Sequence, residues 1–265
     1  MLLRQAILRK APFAGAFFFV SILISTQAVY AGSGCLTQEY DEVATLDKVY
    51  DGDTIKLTDG RKVRIIAVNT PEMGRFQHPE QVFAKEARDT LIGFFTKSRV
   101  VKLKFGKDRQ DRYKRILAHV FTEDGQNVAA QLIRRGLGFA IVVPPNAWQS
   151  ECYFSLENEA RLAKRAIWNH PNYLPKNPLK LSEDETGFQV IEGRVTNIGR
   201  GKKTVWLDMG TEFALRVNRQ HLHFFEDRPI LELKGKRIRV RGWVAFYNDK
   251  LRMPLKHPSM IKVLD

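Results

Sequence analysis

A chain of 265 residues, 44% hydrophobic and 27% charged, is too apolar for an extended disordered protein and long enough to bury two cores. With only two cysteines it is not a disulfide-dense miniature scaffold. Its 43 Lys and Arg against 29 Asp and Glu leave a net charge of +14, which suits a polyanionic partner: nucleic acid, an anionic membrane surface or acidic glycans.

The first 31 residues read as a signal peptide. Arg4, Arg9 and Lys10 form a positive start without acidic neighbours, an apolar run follows over 11–24, and Val29-Tyr30-Ala31 offers small residues for cleavage. The run is short for a membrane span, so export with cleavage is expected over an uncleaved anchor. Cleavage leaves 40 basic residues against 29 acidic. Cys35 and Cys152 are expected to pair in an oxidising compartment, the competing reading being two unrelated thiols.

From residue 42 the texture is strand-rich. Segments 43–49, 54–57 and 62–68 alternate or run apolar between turn signals, and Asp59-Gly60 predicts a hairpin joining the last two. The spacing of Val82, Phe83, Ala87 and Leu91 predicts a helix over 79–96. Strands follow at 100–105 and 115–121, then a short helix over 128–135 closed by Gly136 and Gly138, and a last helix over 155–168. Pro171, Pro175 and Pro178 and an acidic run mark 171–186 as a linker. Beyond it, five strands (188–198, 204–208, 213–217, 236–246, 260–263) and a helix-like piece at 219–226 fit a small Greek-key barrel of the oligonucleotide/oligosaccharide-binding type. The fold class is thus α+β and mainly β. The organisation is leader 1–31, first domain 32–170, linker 171–186 and basic second domain 187–265, which holds 16 Lys and Arg against 8 Asp and Glu.

The chemistry gathers in the first domain. Asp51-Gly52-Asp53-Thr54 sets two carboxylates two residues apart, which repel unless a cation lies between them, and hard oxygen donors suit Ca²⁺. Arg64 sits inside the apolar run Val63–Val68 and needs a partner there. Asn69-Thr70-Pro71-Glu72 follows at a rigid corner, and Asp111-Arg112-Tyr113-Lys114-Arg115 brings cations and an aromatic ring to the start of another strand. Carboxylates for a metal, a candidate base and two forked cations are the parts that phosphate chemistry needs.

These three segments, in this order, resemble the signature of the staphylococcal nuclease family, and Gln131–Leu137 and Ala166–Trp168 resemble its second and third helices. The resemblance covers roughly residues 43–170. It implies a five-stranded barrel of the oligonucleotide/oligosaccharide-binding type with three helices, and Ca²⁺-dependent hydrolysis of DNA or RNA leaving 3′-phosphate ends. Asp51, Asp53, Asn69 and the Thr70 carbonyl would hold the metal, Glu72 would activate water, Arg64 and Arg115 would stabilise the phosphate, and Tyr113 with Arg112 would contact substrate. The sequence departs from the best-known member at Asn69, where that protein has Asp, so weaker metal binding is expected. Ile141 and Val143 replace tyrosines that line its nucleotide pocket, and the loop 73–78 is shorter.

In the second domain Trp206, Phe213, Phe246 and Tyr247 are interleaved with arginines and lysines, a pattern for single-strand binding or for an ordinary core under a solvated face. The overall expectation is an exported, monomeric nuclease. The alternative is a catalytically weak nuclease-like module that binds nucleic acid or the cell envelope.

Overall fold

In the computed structural model the first strand, β1 (Glu42–Asp51), slips register twice, between Leu46 and Lys48 and between Val49 and Asp51. Those irregularities bend it enough to pair with two partners. Its first half lies against β5 and its second against β2 (Thr54–Leu57). Then come β3 (Lys62–Ile65), β4 (Val68–Asn69), β5 (Val100–Gln110), β6 (Ile116–Phe121) and β7 (Phe139–Ala140). Strands β1-β2-β3-β6-β5 close a barrel in which only β3 and β6 run parallel. Alternate residues, Ile55 and Leu57, Val63 and Ile65, Val101 and Leu103, Ala118 and Val120, fill its interior. The structure describes residues 34–74, 79–227 and 229–265. The expected leader and part of the shortened loop, residues 75–78, lie outside them.

The run expected as one strand over 62–68 divides in two. Ala67 takes a left-handed φ of 71°, which turns the chain out of the barrel to start β4, and β4 pairs with β7 instead. Three helices cover the barrel: α1 (Ala84–Gly93), α2 (Val128–Arg134) and α3 (Ser150–Leu162). Asn127 caps α2, its side chain accepting from the Ala130 N–H at 3.0 Å, and Gly136 at φ 72° ends it. Asn127 Nδ2 also donates to the Cys35 carbonyl and the Tyr153 hydroxyl, both at 2.8 Å. Tyr153 therefore gives its own proton to His119 Nδ1 at 2.9 Å. Burial, with Lys104 adding to it, pushes the His119 imidazole down to about 3, so the ring stays neutral.

Cys35 and Cys152 form a disulfide that staples the start of the described chain to α3.

The second sheet comprises β8 (Gly187–Arg194), β9 (Asn197–Arg200), β10 (Thr204–Asp208), β11 (Phe213–Asn218), β12 (Arg237–Tyr247), β13 (Lys250–Pro254) and β14 (Ile261–Val263). Its order is β14-β12-β13-β11-β10-β9, with β8 on the other side of β12. Because β8 runs on into β9 across Val195 and Thr196, the ladder returns on itself around a core of Leu207, Phe213, Leu215, Ile238, Val240 and Met253. Two strands more than expected arise, one from the break at 195–196 and one from β13. Phe213 belongs to the core and not to a binding face. The 171–186 segment packs along this sheet: Lys176 exchanges backbone hydrogen bonds with Val190 and Glu192, and Pro178 is buried.

The two barrels share an apolar core, for Phe139, Ile141 and Ile167 of the first cluster with the interior of the second. A buried ion pair spans them. Glu157 on α3 accepts from the Ala140 N–H at 2.8 Å, and Arg241 on β12 donates to the same carboxylate oxygen. Arg241 also lies over the rings of Phe139 and Phe154.

Two outcomes are expected from chemical denaturation. Replacing both cysteines by serine releases a cross-link 117 residues apart in sequence and lowers the unfolding free energy by about 4 kcal/mol. Arg241→Met leaves Glu157 buried without its counter-ion and costs about 3 kcal/mol, whereas combining it with Glu157→Leu costs less than the sum.

Candidate active-site cleft

Asp51 closes β1, and Asp53 stands at the turn into β2, their residues only 5% and 4% exposed. Asp53 is pinned by three hydrogen-bond donors and an ion pair. One carboxylate oxygen accepts from the Thr70 N–H (3.0 Å) and the Thr70 hydroxyl (3.1 Å) and pairs with Arg64 Nη2 at 3.0 Å, and the other accepts from the Thr54 hydroxyl at 3.2 Å. The Asp53 N–H donates to Asp51 Oδ1 at 3.1 Å. Gly52 between them admits no side chain, because a Cβ would stand 2.8 Å from both the Ala87 and Thr70 side chains. The small residue lets α1 and the Thr70 corner close on the two carboxylates. Burial pushes the Asp51 carboxyl up to about 7, and the neighbouring charges of Asp53 and Glu72 add to the effect.

Arg64 is held from several sides. It donates to the carbonyls of Ile65 and Val68, the latter at 2.9 Å, and to Asn69 Oδ1 at 3.3 Å, and it forms an ion pair with Asp53. It is a fixed, largely buried charge beside the acidic pair, the partner its apolar strand demanded. Arg115 stands across the cleft. Its Nε donates to Asp111 Oδ2 at 2.7 Å and its Nη1 to Thr54 Oγ1 at 3.4 Å. Burial raises the Asp111 carboxyl, and the Arg115 hydrogen bonds and charge overcome it, leaving the group below its ordinary value. Arg112 donates to the Tyr113 hydroxyl at 2.6 Å, and both Arg112 and Arg115 lie over the Tyr113 ring.

Glu72 is placed by its backbone, whose N–H donates to Gln81 Oε1 at 2.9 Å while its carbonyl accepts from the Gln81 N–H at 3.0 Å. Its side chain reaches the same cleft. Asp51, Asp53, Arg64, Asn69, Glu72, Arg112, Tyr113 and Arg115 all border one space of about 860 Å³. Thr70 is behind them, its N–H and hydroxyl both spent on Asp53.

The donors fit a hard cation: two buried carboxylates whose repulsion favours a proton on Asp51, and an amide oxygen, with neither sulfur nor imidazole in the set. Among the described residues no group of three His, Cys, Asp or Glu is arranged to hold a metal, so amide, carbonyl or water oxygens would have to complete the shell.

The sequence reading missed the opposite wall of the cleft. Arg241, Gly242, Trp243, Pro254, Lys256 and Met260 from the second sheet line it. The Val142 N–H meets Met260 Sδ at 3.5 Å, closing the seam. The period of two along β12 was the available signal. Arg237, Arg239, Arg241 and Trp243 share its outer face while Ile238, Val240 and Val244 point inward.

The site is thus a surface cleft on a closed five-stranded barrel, bordered by ion-paired carboxylates and guanidinium groups. Comparison with known proteins makes this specific. Residues 62–170 match the family described as staphylococcal nuclease homologue. The chain is 30% identical over 158 residues to the thermonuclease of Staphylococcus hyicus, covering 58% of this chain and 92% of that protein. It is 35% identical over 135 residues to endonuclease YncB of Bacillus subtilis (strain 168), and 33% identical over 135 residues to the SPbeta prophage-derived endonuclease YokF of the same strain. Each of these two matches covers 49% of this chain, and the chain spans 63% and 45% of the respective relatives. The chain belongs to the staphylococcal nuclease family.

The raised Asp51 carboxyl sets a pH dependence. A carboxyl whose folded value lies above its unfolded one binds a proton preferentially in the native state, so it detracts from stability as pH rises from about 4 through 7. Asp51→Asn is expected to raise the melting midpoint of the metal-free protein at pH 8 by about 3 °C or more and to leave it nearly unchanged at pH 4. Differential scanning fluorimetry at the two pH values checks this.

Proposed function

We propose that this chain is an exported, calcium-dependent nuclease that hydrolyses phosphodiester bonds of DNA or RNA. The reading is carried by the convergence of Asp51, Asp53, Arg64, Glu72 and Arg115 on one cleft. The names of the relatives, endonuclease and thermonuclease, support it. Asp51, Asp53, Asn69 and the Thr70 carbonyl would hold a calcium ion, which would supply a Lewis acid and a template for the phosphate. The amide of Asn69 brings no charge to that set, which weakens the ion's hold.

Glu72, the exposed carboxylate of the group, takes the proton of the attacking water. Arg64 and Arg115 face the phosphate from two sides, and each is fixed beforehand, by Asp53 and Asp111, so little reorganisation is needed when negative charge builds on the phosphorus oxygens. Tyr113, with Arg112 beside it, contacts a neighbouring phosphate. The products carry 3′-phosphate ends. Export through the leader accords with the Cys35–Cys152 disulfide. Among the described residues no helix is long and apolar enough to cross a membrane.

A second reading is a binding module without turnover. It draws on both arginines being ion-paired to protein carboxylates.

Digestion of DNA and RNA by the purified protein, with calcium or with chelator and with end-group analysis, decides between the two. Cleavage that needs calcium is expected, with Glu72→Ala lowering kcat by about 10² to 10⁴ and Arg64→Ala or Arg115→Ala by about 10² to 10³. Turnover indifferent to chelator, or to the paired loss of Glu72 and Arg64, overturns the mechanism. Salt-sensitive binding without cleavage establishes the binding module.

A further inference from the structure

Resting on that nuclease reading, we infer that Trp243, on the second barrel, is the surface on which the cleft stacks a base of a single-stranded substrate, with Lys256 beside it for the neighbouring phosphate. On the first barrel the recess beside Arg64 and Arg115 is walled by aliphatic side chains, among them Ile141 and Val143. Trp243 stands next to both. It borders the main cleft together with Arg64, Arg115 and Val143, and a smaller recess of about 210 Å³ with Arg64, Arg115, Leu117, Ile141 and Val143.

Its ring is 41% exposed, unusual for an indole in a domain interface. It is nonetheless held in place, because it meets Phe188, its cross-strand neighbour, edge to face at 5.1 Å. Phe188 in turn leans on Phe139 at 5.1 Å, which pairs across β4 and β7 with Asn69. Phe188 meets the indole at a steep angle of 75°, and the residue remains 41% exposed. Lys256 is exposed on the same wall. An oriented aromatic face beside a cation is what a strand's bases and phosphates require. A base inside a duplex has both faces covered by its neighbours, so only an unpaired or flipped base can stack here. The second barrel thereby makes the enzyme select single strands.

Two measurements test the assignment. Steady-state kinetics on a single-stranded oligonucleotide should show Trp243→Ala raising KM about tenfold to a hundredfold while kcat moves far less, Trp243→Phe retaining most of the affinity, and Lys256→Met raising KM in a salt-dependent way. In chelator, where no cleavage occurs, titrating the wild type with oligothymidylate should quench indole emission, and Trp243→Phe should remove that quench even if Trp243→Ala does not fold. Unchanged KM in a folded Trp243→Ala, an absent quench, or equal penalties on duplex and single strands overturn the inference and leave the nuclease reading intact. Quenching by a wild type that never cleaves overturns the nuclease reading and leaves the strand-binding wall standing.

Discussion

The burial of two carboxylates two residues apart is the constraint on which the rest of this site depends. Asp51 and Asp53 repel each other in a region shielded from water, and their positions persist because the surrounding groups are spent on them. Thr70 gives both its N–H and its hydroxyl to Asp53, Thr54 gives a hydroxyl, and Arg64 gives a charge. Each of those donors sits where it does for a local reason. Arg64 is at the centre of a four-residue strand, Thr70 follows the left-handed turn at Ala67, and Gly52 leaves the space for both. What the protein does not neutralise is seen in Asp51, whose carboxyl is pushed up to about 7. A site that favours a proton at one carboxylate is a site that a hard cation can occupy at that proton's expense.

The second barrel enters the same argument through its outer face. Three arginines and a tryptophan alternate along β12. Arg237 and Arg239 turn to Glu192, a partner within their own sheet. Arg241 crosses to Glu157 of the first barrel, and Trp243 reaches the cleft. The strand therefore changes office along its length, from internal ion pair to interface to cleft wall. The shared apolar cluster around Phe139 and Ile141 joins that wall to the first barrel. Shape and charge in the cleft are thus fixed jointly by both barrels, with most of the net positive charge coming from the second.

Much of this was legible in the sequence where the signal is local. Alternation and turn residues located β1, β2, β5 and β6, and the apolar spacing located α2 closely, whereas α1 spans Ala84–Gly93 inside the expected 79–96 and α3 spans Ser150–Leu162 against the expected 155–168. The site residues of the first barrel could be named because a short polar motif interrupts apolar strands at three places. The misses have physical causes. The hairpin joining β12 to β13 turns on Asn248 and Asp249, both left-handed at φ 49° and 55°, with no glycine to announce it. Pro254 at the end of β13 argued against a strand, yet it occupies the last register position against Arg216. Helix α3 begins at Ser150, because Gln149 takes a left-handed conformation that no composition rule anticipates. Trp243 and Arg241 were unreadable as cleft residues because their partners lie about a hundred residues away, and only the packing of the two barrels brings them together.

That packing also bears on why residue 141 is aliphatic. Ile141 is 7% exposed and belongs to the apolar cluster shared with the second sheet, so a large polar ring there would compete with the interface itself. An aliphatic residue keeps the seam dry and lets Met260 approach the Val142 N–H. Trp243 adds an aromatic surface from the partner sheet to the Tyr113 ring of the first barrel, at a strand position that alternation points outward. Met260 belongs both to the cleft wall and to the interdomain core, so the cleft and the seam meet at that residue.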